Sequence, residues 1–226
     1  MTAPVSPRVP NSPLADVRAR IAAAASLARR NPAAVTLIAV AKNHPPERIV
    51  PLLDQGQRVF GENRVQEAAA KWPALRERYP GVALYMVGRL QSNKADEAVA
   101  LFDAIHALDR SSLLAALARA MDRHGRRPPC FIQVNIGEEP QKGGCALTGL
   151  DALLQEARAA GLPLAGLMAV PPAGVEAAPY FALLAKLADD HGLTGLSMGM
   201  SDDFETAVML GATHVRVGTA LFGERA

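Results

Sequence analysis

Aromatic residues make up only 4% of this 226-residue chain, with one tryptophan and three tyrosines. Stacking platforms for single-stranded nucleic acid are therefore scarce, and no lysine or arginine run is interleaved with them. The formal net charge of +2 likewise supplies no polybasic face, so nucleic acid is set aside as a partner. The two cysteines, Cys130 and Cys145, have neither metal-ligand spacing nor the density of a disulfide framework. Nothing reads as a secretory leader or as an 18-residue apolar span. A soluble cytoplasmic protein without a membrane role is expected. Lysine is scarce as well. Of 24 basic residues only five are lysines: Lys42, Lys71, Lys94, Lys142 and Lys186. In so arginine-rich a chain each remaining lysine invites a question, although a solvated lysine needs no special reason.

What the chain does have is alternation. Val35-Thr36-Leu37-Ile38-Ala39-Val40-Ala41 is a short apolar run rich in β-branched residues, bounded by Asn43-His44-Pro45-Pro46. Such a run reads as a strand buried on both faces, as in a parallel sheet. It ends in Lys42, where an ammonium would be costly if buried. Lys42 is either the first solvated residue after the strand or a nucleophilic amine at the mouth of an α/β barrel.

Residues 1–12 carry Pro4, Pro7 and Pro10 with little to bury and read as a flexible arm; residues 13–226 read as one domain. Ser12-Pro13 is the signature of a helix start, and Leu14, Val17, Ile21 and Ala24 keep helical spacing. Seven further strand–helix alternations follow the first strand, including a second strand at 58–61, a helix from Glu62 to about Tyr79, and a helix opened by Ser201. Eight such units predict a closed (β/α)8 TIM barrel with an extra N-terminal helix. An open doubly wound sheet is the alternative, because alternation does not prove closure.

Two loops have the character of a phosphate site. After the seventh strand comes Ser197-Met198-Gly199-Met200-Ser201-Asp202-Asp203, and after the eighth Arg216-Val217-Gly218-Thr219-Ala220. Gly218 permits close backbone approach, and Arg216 offers a forked donor set to an oxyanion. Barrels often bind phosphate between these loops. In a closed barrel the eighth strand lies beside the first, so a phosphorylated aldehyde could meet both the loops and Lys42. Pyridoxal 5′-phosphate fits, and so does a phosphosugar bound as a Schiff base.

The stretches Ala39-Val40-Ala41-Lys42, Gly61-Glu62-Asn63-Arg64-Val65-Gln66-Glu67, Val87-Gly88-Arg89-Leu90-Gln91-Ser92-Asn93-Lys94, Gly166-Leu167-Met168-Ala169-Val170, 197–203 and 215–223 together resemble the pyridoxal phosphate homeostasis proteins. The resemblance spans nearly the whole chain from the first strand onward. It implies a barrel like the N-terminal domain of alanine racemase and a cofactor, pyridoxal 5′-phosphate, carried on Lys42 as an internal aldimine. It further implies cofactor-binding positions at Asn63, Ser201, Arg216, Gly218 and Thr219. Asn43-His44 departs from the usual Thr-Lys, and Leu84-Tyr85-Met86 from an aromatic-His-Phe run. Lys142 falls in a loop resembling a Lys/Gly loop of the family. The role implied is intracellular vitamin B6 homeostasis, with PLP-dependent apoenzymes as recipients, and a monomer is expected, with a dimer as the alternative.

A weak amino-acid racemase or lyase is the enzymatic alternative. Racemization needs an acid/base group on each face of the cofactor adduct. Lys42 can serve one face, and none of Tyr79, Tyr85 and Tyr180 is well placed for the other. An arginine at the ring nitrogen would also weaken the electron sink. A non-catalytic binder is therefore the leading expectation, with no metal and no catalytic residue. His106, His214 and Cys130 are expected as core residues.

Overall fold

The computed structural model describes residues 12–223. The proline-rich arm expected over 1–12 lies, Ser12 apart, outside them. The first helix, α1 (Pro13–Leu27), starts as its sequence requires: the Ser12 hydroxyl accepts from the Ala15 amide at 3.2 Å, and proline occupies the first turn. Leu14, Val17, Ile21, Ala24 and Ala25 form its buried face.

Strands and helices then alternate: β1 (Thr36–Val40), α2 (Pro46–Asp54), β2 (Val59–Glu62), α3 (Val65–Arg78), β3 (Ala83–Met86), α4 (Ala95–Leu101), β4 (Ala104–Leu108), α5 (Ser111–His124), β5 (Cys130–Val134), α6 (Leu150–Ala159), β6 (Leu164–Ala169), α7 (Ala178–Asp190), β7 (Gly195–Ser197), α8 (Phe204–Met209), β8 (His214–Val217) and α9 (Thr219–Phe222). All neighbouring strands are parallel, and the sheet closes. β1 pairs with β2 through Ala39 and Phe60, and with β8 from Thr36 opposite His214 to Ala39 opposite Val217. Closure eliminates the open doubly wound sheet. α1 lies outside the repeating units and packs on α8, where Arg20 forks onto Glu205 at 2.8 and 2.9 Å.

Strands this short and apolar are explained by what covers them. Their outward residues, such as Val215 and Val217, meet the helical ring, while inward residues must fill a narrow barrel. Tyr85, His106, Phe131 and His214 come from β3, β4, β5 and β8, yet their rings meet. Only the barrel interior brings those strands' side chains together. His106 lies 4.1 Å from Phe131 and 5.2 Å from Tyr85 between ring centroids.

The two histidines are core residues, as expected, but unequally satisfied. His214 Nδ1 meets Thr213 Oγ1 at 2.8 Å. His106 Nδ1 meets Ser197 Oγ at 2.9 Å, while its Nε2 is buried without a partner. Burial, together with His214 and Arg216, depresses the His106 pKa well below the usual histidine value. Burial also lowers His214, to about 4. Cys130 is a buried hydrophobe whose thiol is pushed up to about 12.

Among the boundaries that differ from the sequence reading, two matter for the site. β2 runs through Glu62, and α3 begins only at Val65. Glu62 belongs to the strand because its carboxylate is buried under α3, accepting from Trp72 Nε1 at 2.9 Å. α8 starts at Phe204 instead of Ser201. Asp203 occupies the cap position without a side-chain bond into the helix; its carboxylate accepts instead from the Met200 amide at 2.6 Å, closing the preceding turn, and Ser201 is left for another role.

Candidate functional site

The carboxyl ends of β1, β2, β3, β6, β7 and β8 surround a cavity of about 380 Å³. Lys42, Asn63, Ser201, Arg216, Gly218 and Thr219 all line it. Six residues singled out from four separate stretches therefore share one wall system. Met200 lines it as well, as do Val40, His44, Val87, Val170, Asp202 and Gly223, to which the sequence reading assigned no binding role. Apolar residues carry no motif signal, and His44 stood out only as a departure from the family pattern.

Lys42 is half-buried at the corner of a tight turn. The His44 amide donates back to the Ala41 carbonyl at 3.2 Å, leaving Lys42 and Asn43 as the two central residues. Asn43 has φ +60°, the left-handed conformation that the second central position of a type II turn demands and asparagine tolerates. His44 stacks on Phe222, with ring centroids 4.4 Å apart.

The turn is held from below by a charged cluster that the sequence did not reveal. Lys71, on α3, is only 8% exposed. Its ammonium donates to the Ala41 carbonyl at 2.8 Å and the His44 carbonyl at 3.0 Å, gripping both ends of the turn. It also meets Glu67 at 3.0 Å and the fully buried Glu62 at 2.8 Å. Glu67 in turn accepts from the Asn43 amide at 2.6 Å. One lysine and one glutamate thus fix three of the turn's four residues. The only available signal was a Glu67–Lys71 pair at i,i+4, which ordinarily marks a solvated helix face. Burial raises the Glu62 pKa against the opposing pull of Lys71 and Trp72, and its second oxygen is buried without a partner.

Across the cavity, Ser201 Oγ accepts from the Ala220 amide at 3.3 Å, tying the loop after β7 to the loop after β8. Gly218 faces the cavity at φ −118°, a conformation open to any residue. A Cβ there would touch Val40 at ordinary distances of 3.6–3.7 Å. Packing within the protein therefore does not demand glycine; the space a side chain would fill is cavity. Gly88 is the opposite case: a Cβ would lie 2.6 Å from the Asn63 Cα, so close approach of the β2 and β3 loops requires glycine.

Arg216 is buried, at 6% exposure, and makes no salt bridge among the described residues. One terminal nitrogen donates to the Ser197 carbonyl and hydroxyl, both at 2.7 Å, and the other to the Ala169 carbonyl at 2.8 Å. It therefore links β8 to β7 and β6, a structural duty carried by hydrogen bonds to neutral groups. Burial lowers its pKa to about 10, against the pull of Asp203, and at neutral pH it remains a cation. Lys142 is tied to Glu139 at 2.6 Å and to the Pro171 carbonyl at 2.9 Å, and it does not line the cavity.

No group of three or more metal-ligating side chains occurs among the described residues. No described helix is long and apolar enough to cross a membrane.

Comparison with known proteins places these features in context. The family model for the alanine racemase N-terminal domain matches residues 13–226. The pyridoxal phosphate homeostasis protein of Escherichia coli strain K12 is 39% identical over 226 residues, covering 94% of this chain and 95% of that protein. That of Pseudomonas aeruginosa is 40% identical over 220 residues, covering 94% of each. The solved structure of PipY from Synechococcus elongatus with PLP bound superposes with a TM-score of 0.79 at 41% identity, covering 92% of this chain and all of that one.

Proposed function

The chain belongs to the pyridoxal phosphate homeostasis family of alanine racemase N-terminal-domain proteins, and we propose that it binds pyridoxal 5′-phosphate with Lys42 as covalent anchor. The observation that carries this reading is the convergence of Lys42, Asn63, Ser201, Arg216, Gly218 and Thr219 on one cavity. Its volume, about 380 Å³, is at the compact end for small-molecule sites. The space kept open at Gly218 suits a ligand group lying close to the backbone.

When bound, the cofactor supplies a reactive aldehyde, a pyridine ring and a phosphate. Lys42 provides the amine, on a turn that Lys71 and Glu67 keep from shifting. Ser201, Gly218 and Thr219 form the phosphate end, and Asn63 the facing wall. Arg216 has five N–H donors and places three hydrogen bonds on Ser197 and Ala169, so donor capacity is left for the ring or the phosphate. Residues 13–226 act as a single cofactor-binding domain.

The role that follows is a cytoplasmic reservoir in vitamin B6 homeostasis. It masks the aldehyde and releases cofactor to PLP-dependent apoenzymes, working as a monomer. Tyr79 is engaged with Asp54 at 2.7 Å, Tyr85 is packed in the barrel interior, and neither lines the cavity. Borohydride reduction of the loaded protein followed by peptide mapping tests the anchor. Label is expected on Lys42, and label on another lysine overturns the assignment.

One observation favours a second reading, a weak racemase or lyase: the imidazole of His44 lines the cavity. Incubation with L- and D-amino acids separates the two. Turnover near 1 s⁻¹ or faster, the ordinary enzymatic range, would refute the reservoir.

A further inference from the structure

A second concavity opens beside the Lys42 cavity and has no part in the function above. Its walls are the loop after β2, residues 89–94 after β3, and Arg110 after β4, and it encloses about 920 Å³. Buried Val65, Met86 and Leu90 contribute apolar surface. Arg64, Arg89, Lys94 and Arg110 line it, and no lining residue is a carboxylate.

The four cations are not equivalent. Lys94 is neutralized by Glu97 at 2.8 Å and Arg110 by Asp109. Arg110 also donates to the Leu90 carbonyl at 2.9 Å. Arg64 and Arg89 are exposed, and neither pairs with a carboxylate among the described residues. Two uncompensated guanidinium groups on one groove repel each other until an anion arrives. Their combined charge matches a phosphate monoester, which carries about −1.5 to −2 at neutral pH. Guanidinium forks also fit phosphate oxygens.

The remaining lining sets the shape of the guest. Apolar surface beside the amides of Gln66, Gln91 and Asn93 suits a ring with polar edges. A long polyanion would need an extended basic stripe, and the net charge of +2 supplies none. The groove is also joined to the known cavity: Asn63 lines both, and the Gly88 contact presses the two supporting loops together.

We propose that this groove is a second, non-covalent binding site for a ring-bearing phosphate monoester, adjoining the Lys42 cavity and held by Arg64 and Arg89. The site rests on the groove's own charges and does not depend on Lys42 as anchor. The probe is pyridoxine 5′-phosphate, which has a ring and a phosphate but no aldehyde. It is titrated calorimetrically into protein whose Lys42 cavity has been filled with pyridoxal 5′-phosphate and sealed by borohydride.

One saturable site per chain is expected. Arg64→Gln with Arg89→Gln should weaken it at least tenfold while leaving the extent of Lys42 labelling unchanged. Absence of saturable binding, or equal affinity in the double variant, overturns the proposal. So does inorganic phosphate binding as tightly as the ester, which would show an adventitious ion only. If borohydride fixes nothing on Lys42, the anchor assignment fails by itself. The groove is then tested on untreated protein by the same comparison of parent and double variant.

Discussion

Lys71→Met removes the ammonium that grips the Lys42 turn and keeps most of the side chain's apolar bulk. The fully buried Glu62 would lose its ion-pair partner, and breaking one side of a buried pair costs about 3–5 kcal/mol. Two backbone carbonyls, Ala41 and His44, would each lose a donor worth about 0.5–1.5 kcal/mol. One effect limits the sum. Burial already raises the Glu62 pKa, so the carboxyl can take up a proton instead of remaining a bare charge. A net loss of about 3 kcal/mol is expected in urea unfolding of the cofactor-free protein, a drop in Tm of about 6–12 °C for a chain of this size. Glu62→Gln should recover at least about 1 kcal/mol in the Lys71→Met background, because the orphaned carboxyl is then gone. Cofactor retention should fall in Lys71→Met beyond what instability explains, read as the fraction of chains labelled by borohydride under conditions where all are folded. A stability loss below about 1 kcal/mol, or strictly additive effects in the double variant, would refute the coupling.

Gly218→Ala should leave cofactor-free stability unchanged or raised by about 0.4–1 kcal/mol, since the Cβ meets only Val40 at ordinary distance. Retention of pyridoxal 5′-phosphate in dialysis should nevertheless fall at least tenfold, and equal retention would show that Gly218 does not border the ligand. Arg216→Ala strands three acceptors on Ser197 and Ala169 at about 1–3 kcal/mol each, so thermal unfolding should show a loss of at least about 3 kcal/mol. Acid should destabilize the protein between pH 6.5 and 4. His214 binds a proton when unfolded over that window and not when folded, a difference of up to about 3 kcal/mol, and His106 acts in the same direction. Glu62, with a raised pKa, has the opposite sign; a urea midpoint no lower at pH 4.5 than at pH 7 would contradict the histidine account.

The eight alternating units were legible because short, largely apolar runs recur between turn residues. Closure was legible only through their number, because the pairing that makes it, Thr36 opposite His214, is encoded by no local pattern. Lys42 could be found because a charge ending a buried strand is locally anomalous. Lys71 could not: its acceptors on Ala41 and His44 are about thirty residues away, and only the fold converts an ordinary i,i+4 pair into a buried brace. Glu62 and Ser201 were misplaced for a common reason. An acid before a helix and a serine before two acids both resemble helix starts, yet Trp72 claims the first and Asp203 supplants the second. Arg216 lines the cavity, but how it divides its bonds between protein and cavity was not legible, since a forked donor gives no sequence clue to how many of its bonds face the protein.

That division of labour in Arg216 bears on what kind of cofactor site this is. A guanidinium committed to carbonyls of β6 and β7 and to the Ser197 hydroxyl cannot swing away, and with a pKa near 10 it cannot accept a proton at neutral pH. Whatever part of a ligand faces it must accept hydrogen bonds. Where that part is a pyridine nitrogen, the nitrogen stays unprotonated and the ring withdraws electrons weakly. A rigid donor on one side and a braced lysine turn on the other are what retention requires. Proton shuttling across both faces of an adduct requires a second mobile acid or base, and among the described residues His44 and Asp202 are the side chains lining the cavity that offer one. The proposed reservoir role rests on that contrast, and the amino-acid turnover assay decides it.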